Sequence, residues 1–404
     1  MSQSKSPRGQ VSNACPRRTP LLAPPTSRRR PVSFASLITP TSIPQQWTQA
    51  VDAERVPQAV LLTGAEGSEL LPLALKLVGY LQCTNRQHDG PTPESCNACE
   101  ACRGHAKLVH PDVHFTFPVV GTGNTSADHI AKWREAVLDD PYLSQRTWLR
   151  AQTTDNKQGN INRDEVMRIL HDVSLQRFTD GHKVVLIWGA DYLGDESNRL
   201  LKVIEEPPAR TLVLLVTSRF ERILPTIASR CRVLRVPPPP IERVVTALQE
   251  RGVGREAAQR IAYAAGGNIG QALAAGRDFL SGDAPERPDL AAWLRACFAG
   301  RGAGLVKAST QLAALTREQQ KHFLERALRF VRELGVVCAG SPQPLRLDEA
   351  DRAVATKLAA LLGWPQLTAL AAELESLMRA VERNANGKIA FTASAIRIHH
   401  ILAS

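Results

Sequence analysis

The sequence predicts an α/β domain built on a largely parallel sheet, followed by helical segments. Three observations carry this. Short apolar runs alternate with stretches of helical apolar spacing between Val60 and Val216, the pattern of strands joined by crossover helices. Four successive prolines, Pro237 to Pro240, then close that pattern, because neither a helix nor a central strand continues through them. Beyond them the chain is rich in Ala and Leu at helical spacing, with little strand signal.

Taken in order, the first 32 residues are rich in Pro, Ser and Arg and lack apolar periodicity, so residues 1–32 are expected to form a disordered basic tail. From Met1 to Val51 there are seven Lys or Arg and no Asp or Glu, so more than half of the net charge of +11 lies in that stretch. Leu21-Leu22-Ala23 before Pro24-Pro25 is too short for the apolar region of a secretory signal. The same prolines argue against the amphipathic helix of a mitochondrial transit peptide. No run of about 18 apolar residues is present, so no membrane span is expected.

Val60-Leu61-Leu62-Thr63, ending at Gly64, reads as a buried strand, and Glu69 to Leu81 as the helix after it. Asn162 followed by Glu165 resembles a capping box opening a helix through about Gln176. Lys183 to Ile187 and Leu212 to Val216 are further strands. Between them, Asp195 to Ile204 reads as a helix that stops before Pro207-Pro208. From Ile241 to about Phe279 the pattern is helical, broken at Gly266-Gly267. Pro285 to Pro288 marks a second boundary, and Asp289 to Ser404 reads as an independent helical domain. The expected divisions are therefore 33–236, 237–284 and 285–404.

The strongest chemical signal is Cys83, Cys96, Cys99 and Cys102, half of the eight cysteines, the last three spaced C-x2-C-x2-C. Four thiolates complete a tetrahedral shell and leave no open position for a catalytic water, so a structural zinc site over 83–102 is expected. The polar loop from Thr84 to Ser95 is able to fold back and bring Cys83 in. His88, His105 and His110 lie nearby as substitute ligands, which four cysteines make unnecessary. The remaining cysteines are scattered singly, which with no export signal argues for a reducing, cytoplasmic setting.

A phosphate loop would read G-x-x-x-x-G-K-[ST] between strand and helix. Here the stretch is Gly64-Ala65-Glu66-Gly67-Ser68-Glu69-Leu70-Leu71. The second Gly is Glu69, the phosphate-binding Lys is Leu70 and the magnesium-binding hydroxyl is Leu71, so no ATP of its own is expected. The strand ending at Ile187 would normally lead into two acidic residues, and the chain has Trp188 and Gly189. Asp191, three positions beyond, is expected to cap or solvate the helix that follows. Ser229-Arg230-Cys231 comes after Ile223 to Ile227, and a lone Arg there reads as a surface charge.

Taken together these stretches resemble the subunits of bacterial DNA sliding-clamp loaders. Leu200 to Pro208 is similar to the family's L-L-K-x-(hydrophobic)-E-E-P-P helix end, and Ser229-Arg230-Cys231 to its SRC motif. The cysteine cluster resembles its zinc module. Gly266-Gly267-Asn268 with Gln271-Ala272-Leu273 resembles the start of its second sensor. The loss of the loop Lys, the acidic pair and the sensor Arg (here Gly270), with SRC retained, resembles the non-hydrolysing delta-prime type.

The resemblance implies an AAA+ module over 33–236 with a zinc-module insertion, a small helical lid over 237–284 and an all-α collar domain over 285–404. It implies gamma/tau and delta subunits as partners, with the sliding clamp and primed DNA reached through the complex. The chain would then belong to the DNA-directed DNA polymerase III holoenzyme without an intrinsic catalytic site. Arg230, with Ser229 and Cys231, would act as an arginine finger in trans on a neighbouring ATP site. Two other readings compete. An active gamma/tau-like ATPase would bind ATP in isolation, and a zinc-containing nucleic-acid-binding module would bind DNA alone with a steep salt dependence. The polar segment from Asp128 to about Thr153, with Trp133 and Trp148, is not needed by a bare version of the domain. It is expected to pack locally, without an assigned function.

Overall fold

The computed structural model describes residues 33–39, 42–152, 159–282, 289–300, 302–341, 347 and 349–403. The tail expected over residues 1–32 and the boundary at Pro285 to Pro288 lie outside them. Five parallel strands form one sheet: β1 Ala59–Gly64, β2 Val113–Thr116, β3 Lys183–Trp188, β4 Thr211–Thr217 and β5 Arg232–Val236. Their spatial order is β2-β3-β4-β1-β5. Leu62 of β1 faces Val216 on one side and Leu234 on the other.

Every residue of β3 and β4 is buried, because helices cover both faces of the sheet. Val60, Leu62, Leu186 and Leu214 point into one core, with Trp47 of helix Ile43–Asp52 and Leu73 and Leu77 of helix Leu70–Gln82. Leu61, Val185, Ile187 and Leu215 point into the other, with Val166 and Ile169 of helix Arg163–Ser174. The expected parallel α/β domain is present. The edge strands β2 and β5 were not anticipated: β2 has four residues, and β5 interleaves exposed Arg232 and Arg235 with its apolar positions.

Several expected elements differ in detail. Asn162 Oδ1 accepts from Glu165 N at 2.9 Å, which is half of a capping box. The Glu165 carboxylate turns inward to other donors instead of returning. That helix stops at Ser174, where the buried Lys183 Nζ donates to the carbonyls of Asp172 (2.8 Å), Val173 (3.3 Å) and Leu175. The helix expected over Asp195 to Ile204 is 3-10 over Gly194–Leu200 and α-helical only over Leu201–Glu205.

The helical stretch after Pro240 comprises helices Ile241–Gln249, Arg255–Ala265 and Ile269–Ser281. The break at Gly266-Gly267 is present, both residues adopting positive φ. An earlier break was missed, at Gly252 (φ +93°). The C-terminal helices, Leu290–Ala299, Gly302–Ala313, Arg317–Cys338, Glu349–Ala359, Trp364–Glu382 and Gly387–Ala403, enclose a separate core around Trp293, Phe330, Leu374 and Phe391. Among the described residues, no helix is long and apolar enough to cross a membrane.

Candidate functional site

The cysteine cluster assembles as its spacing implies. Gln87 and Glu94 pair antiparallel, each N–H donating to the other's carbonyl at 2.8 Å, so the loop folds back and returns Cys96 to Cys83. The four sulfurs lie within 4.8 Å of one another, with Cys83–Cys96 at 3.6 Å and Cys96–Cys102 at 3.9 Å. A tetrahedral thiolate site with bonds of about 2.3 Å spaces its sulfurs about 3.8 Å apart, so these residues fit one metal ion.

Backbone N–H groups of Cys96, Cys99 and Cys102 donate to cysteine sulfurs at 3.3–3.4 Å, which favours thiolates. Burial pushes the Cys83 and Cys102 thiols up, whereas at Cys99 hydrogen bonds from Thr84 and Cys102 outweigh burial and bring it to about 6. The histidines are engaged elsewhere. His105 Nε2 lies 2.6 Å from the Leu75 carbonyl, and burial lowers its pKa to about 4. His110 Nδ1 accepts from Asp112 N, and His88 stands beside Asp52.

Strand order places the loop after β1 at a switch point. The chain leaves β1 for the β2 edge, whereas it leaves β4 for β5 on the opposite side. Loops that diverge in this way open a crevice at the strand ends, where α/β sheets bind ligands. Here the crevice is closed. Leu70 and Leu71 are buried in the core beneath the loop. Glu69, 1% exposed, accepts from the backbone N–H of Ile38 (3.0 Å) and Thr39 (2.6 Å) and from Tyr142 Oη (3.0 Å). Pro141 to Arg146 and Ser218-Arg219 line what remains, about 50 Å³. Small-molecule pockets run to about 300 Å³ or more.

Trp188 fills the place of the first acidic residue, buried against Trp133 at 6.2 Å. Asp191 does not cap the next helix, as was expected of it. Its side chain is buried, Oδ1 accepts from Thr217 Oγ1 at 2.7 Å, and Oδ2 lies 3.9 Å from Arg219 Nη1. The tie to Thr217 at the end of β4 withdraws it from the helix start.

Arg230 lies after the short helix Pro225–Ala228 and before β5. Its side chain is 38% exposed, and its guanidinium pairs with Glu205 and donates to the Thr226 carbonyl at 3.0 Å. Ser229 and Cys231 flank it, Ser229 Oγ donating to the same carbonyl at 3.2 Å. The sequence reading missed Tyr142, whose partner lies 73 residues away. The segment around it also packs beyond its own neighbourhood, because Arg146 approaches Glu325 and Arg277 approaches Asp140.

A family model described as DNA polymerase III, delta subunit, matches residues 39–240, half of the chain. DNA polymerase III subunit delta-prime of Escherichia coli K12 is 28% identical over 224 residues, covering 55% of this chain and 55% of that protein. The Bacillus subtilis 168 subunit of the same name is 24% identical, over 53% of this chain and 52% of its own length. The gamma/tau subunit of Mycobacterium tuberculosis H37Rv is 27% identical, over 50% of this chain and 28% of its own. The chain thus spans about half the length of the delta-prime relatives it matches.

Proposed function

The chain belongs to the DNA polymerase III delta-subunit family, and from that premise we propose that it serves as a delta-prime-like subunit of a sliding-clamp loader. In this reading it hydrolyses no ATP and lends Arg230 to the ATP site of a neighbouring gamma/tau subunit. One observation carries the reading: an exposed guanidinium in Ser229-Arg230-Cys231 coexists with a phosphate loop whose crevice is closed. The pair with Glu205 is at the surface, where ion pairs are worth at most about 1 kcal/mol, so a phosphate on a neighbour competes for the guanidinium easily. A guanidinium placed on the transferred phosphoryl group contributes about 10³–10⁵ in rate in other systems.

Partners in this proposal are gamma/tau and delta, with the sliding clamp and primed DNA engaged through the assembly. The cysteine cluster takes zinc in a structural role, because four protein ligands leave no open coordination position. Cys83, Cys96, Cys99 and Cys102 would hold it, and the loop Thr84 to Ser95 would be fixed by it. The proposed divisions are a module over 33–236, a lid over 237–284 and a collar over 285–404, working in the cytoplasm beside the replication machinery.

The test is a loader reconstituted with Arg230→Ala. The variant is expected to fold and assemble, while DNA- and clamp-stimulated ATP hydrolysis slows and clamp loading falls further. Arg230→Lys is expected to rescue poorly, since an ammonium lacks the planar donor fork. Wild-type hydrolysis and loading in an intact mutant complex would refute the trans-acting role.

A further inference from the structure

We propose that Glu69 and the segment Asp140–Arg146 form an intramolecular latch that takes the place of a nucleotide and holds the helices after Pro240 against the sheet domain. This deepens the reading of Gly64 to Leu71 as a phosphate loop without nucleotide, and rests on it. A phosphate loop offers donors to an anion from outside. Here the anion is a side chain of the loop itself, standing where the motif requires its second glycine.

A buried carboxylate needs donors, and Glu69 draws them from two distant segments. Ile38 and Thr39 supply backbone N–H groups, and Tyr142 supplies its hydroxyl. Burial and the neighbouring Glu69 charge raise the Tyr142 phenol, which keeps it a donor. The other side of the segment meets the helix Ile269–Ser281. A Cβ on Gly270 would lie 2.9 Å from the Tyr142 carbonyl oxygen, so only glycine permits this approach. Gly270 stands where the resemblance places the sensor arginine, so the chain of Tyr142 occupies ground that a longer side chain would need.

Two further ties fix the same helix. Ile269 N donates to the Gly67 carbonyl at 2.9 Å, and a Cβ on Gly67 would collide with the Asn268 side chain. Arg277 Nη2 lies 3.2 Å from Asp140 Oδ2. The second-glycine position and the sensor position therefore meet through Tyr142, and the loop meets the same helix directly at Ile269. A contact supplied by the chain itself is always present, whatever the nucleotide concentration. The helices after Pro240 should accordingly hold one position with or without ATP.

The experiment is hydrogen–deuterium exchange on the full isolated chain, with and without Mg-ATP. The wild type is expected to show protected amides at Thr39 and across Ile269–Ser281, unchanged by Mg-ATP. Tyr142→Phe keeps the ring and removes the donor to a charged acceptor. It is expected to speed exchange there by about tenfold or more, leaving β3 and β4 unchanged. Gly270→Ala is expected to act in the same direction by crowding the Tyr142 carbonyl.

Unchanged exchange across Ile269–Ser281 in Tyr142→Phe would overturn the latch. So would a uniform rise that includes β3 and β4, or protection of Gly64 to Leu71 by Mg-ATP in the wild type. The measurement is blind to Arg230, so failure of the latch and failure of the arginine-finger reading are separate results.

Discussion

Glu165 is a buried, heavily bonded carboxylate of the sheet domain. It is 1% exposed, and it accepts from Thr116 Oγ1 (2.8 Å), Ser126 N (2.8 Å) and Ser126 Oγ (2.6 Å), with Arg168 beside it. It joins β2 to the start of helix Ser126–Asp139. Glu165→Ala takes the acceptor from Ser126 N and from the Thr116 and Ser126 hydroxyls, while Arg168 keeps Asp172, and a loss of about 1–3 kcal/mol is expected in denaturant unfolding. Asp112 gives a pH-dependent counterpart. It is fully buried, and burial alone would push its carboxyl up. Hydrogen bonds from Thr179 Oγ1 and from the N–H groups of Phe178 and Thr179 outweigh that and leave it below the ordinary range. A depressed folded pKa adds stability above the unfolded value of about 3.9 and loses it as pH falls through the folded one. The stability gap between wild type and Asp112→Asn should therefore be full at neutral pH and shrink below about pH 4. Urea melts across that range check it. At the cysteine cluster, Cys99→Ser is expected to lower bound metal below one per chain and to lower the melting temperature, read by elemental analysis and calorimetry.

The helices Ser126–Asp139 and Gln145–Gln152 bracket the Tyr142 segment and are pinned by aromatic packing. Trp133 stacks on Phe117 with ring centroids 4.8 Å apart and 10° between planes, and Trp148 meets Phe117 edge-on at 5.3 Å. Trp148 Nε1 donates to the Pro118 carbonyl at 2.9 Å. Trp133→Ala is expected to cost about 3–5 kcal/mol, seen as a lower denaturation midpoint with the sheet still cooperative. What the sequence revealed follows from physics at this scale. β1, β3 and β4 were legible because strands covered on both faces are continuous apolar runs. β2 and β5 were not, because a four-residue edge and an Arg-interrupted one carry no such run. The cysteines were legible because their spacing is local. The inward turn of Glu165 was hidden because its partners Thr116 and Ser126 lie 49 and 39 residues away. Glu69 was legible as a lost glycine, but not as the bond to Tyr142.

At the scale of the molecule, a closed crevice predicts that Mg-ATP titrated into the isolated chain gives no calorimetric signal in the micromolar range. Binding at that strength would contradict the closure. The sheet order has a further consequence, in time. β1 ends at Gly64, yet its two neighbours are β4 from Thr211 and β5 from Arg232. On a ribosome adding about 5–20 residues per second, β1 waits roughly 7–30 s for its first neighbour to be made. The cysteine loop needs no such wait, because Cys83 to Cys102 emerge together. Capture of the proposed metal would thus close a local structure at the end of helix Leu70–Gln82 while β1 is still unpartnered. Cells starved of the metal during synthesis should yield aggregated chain. The same starvation imposed after synthesis should leave the finished sheet intact.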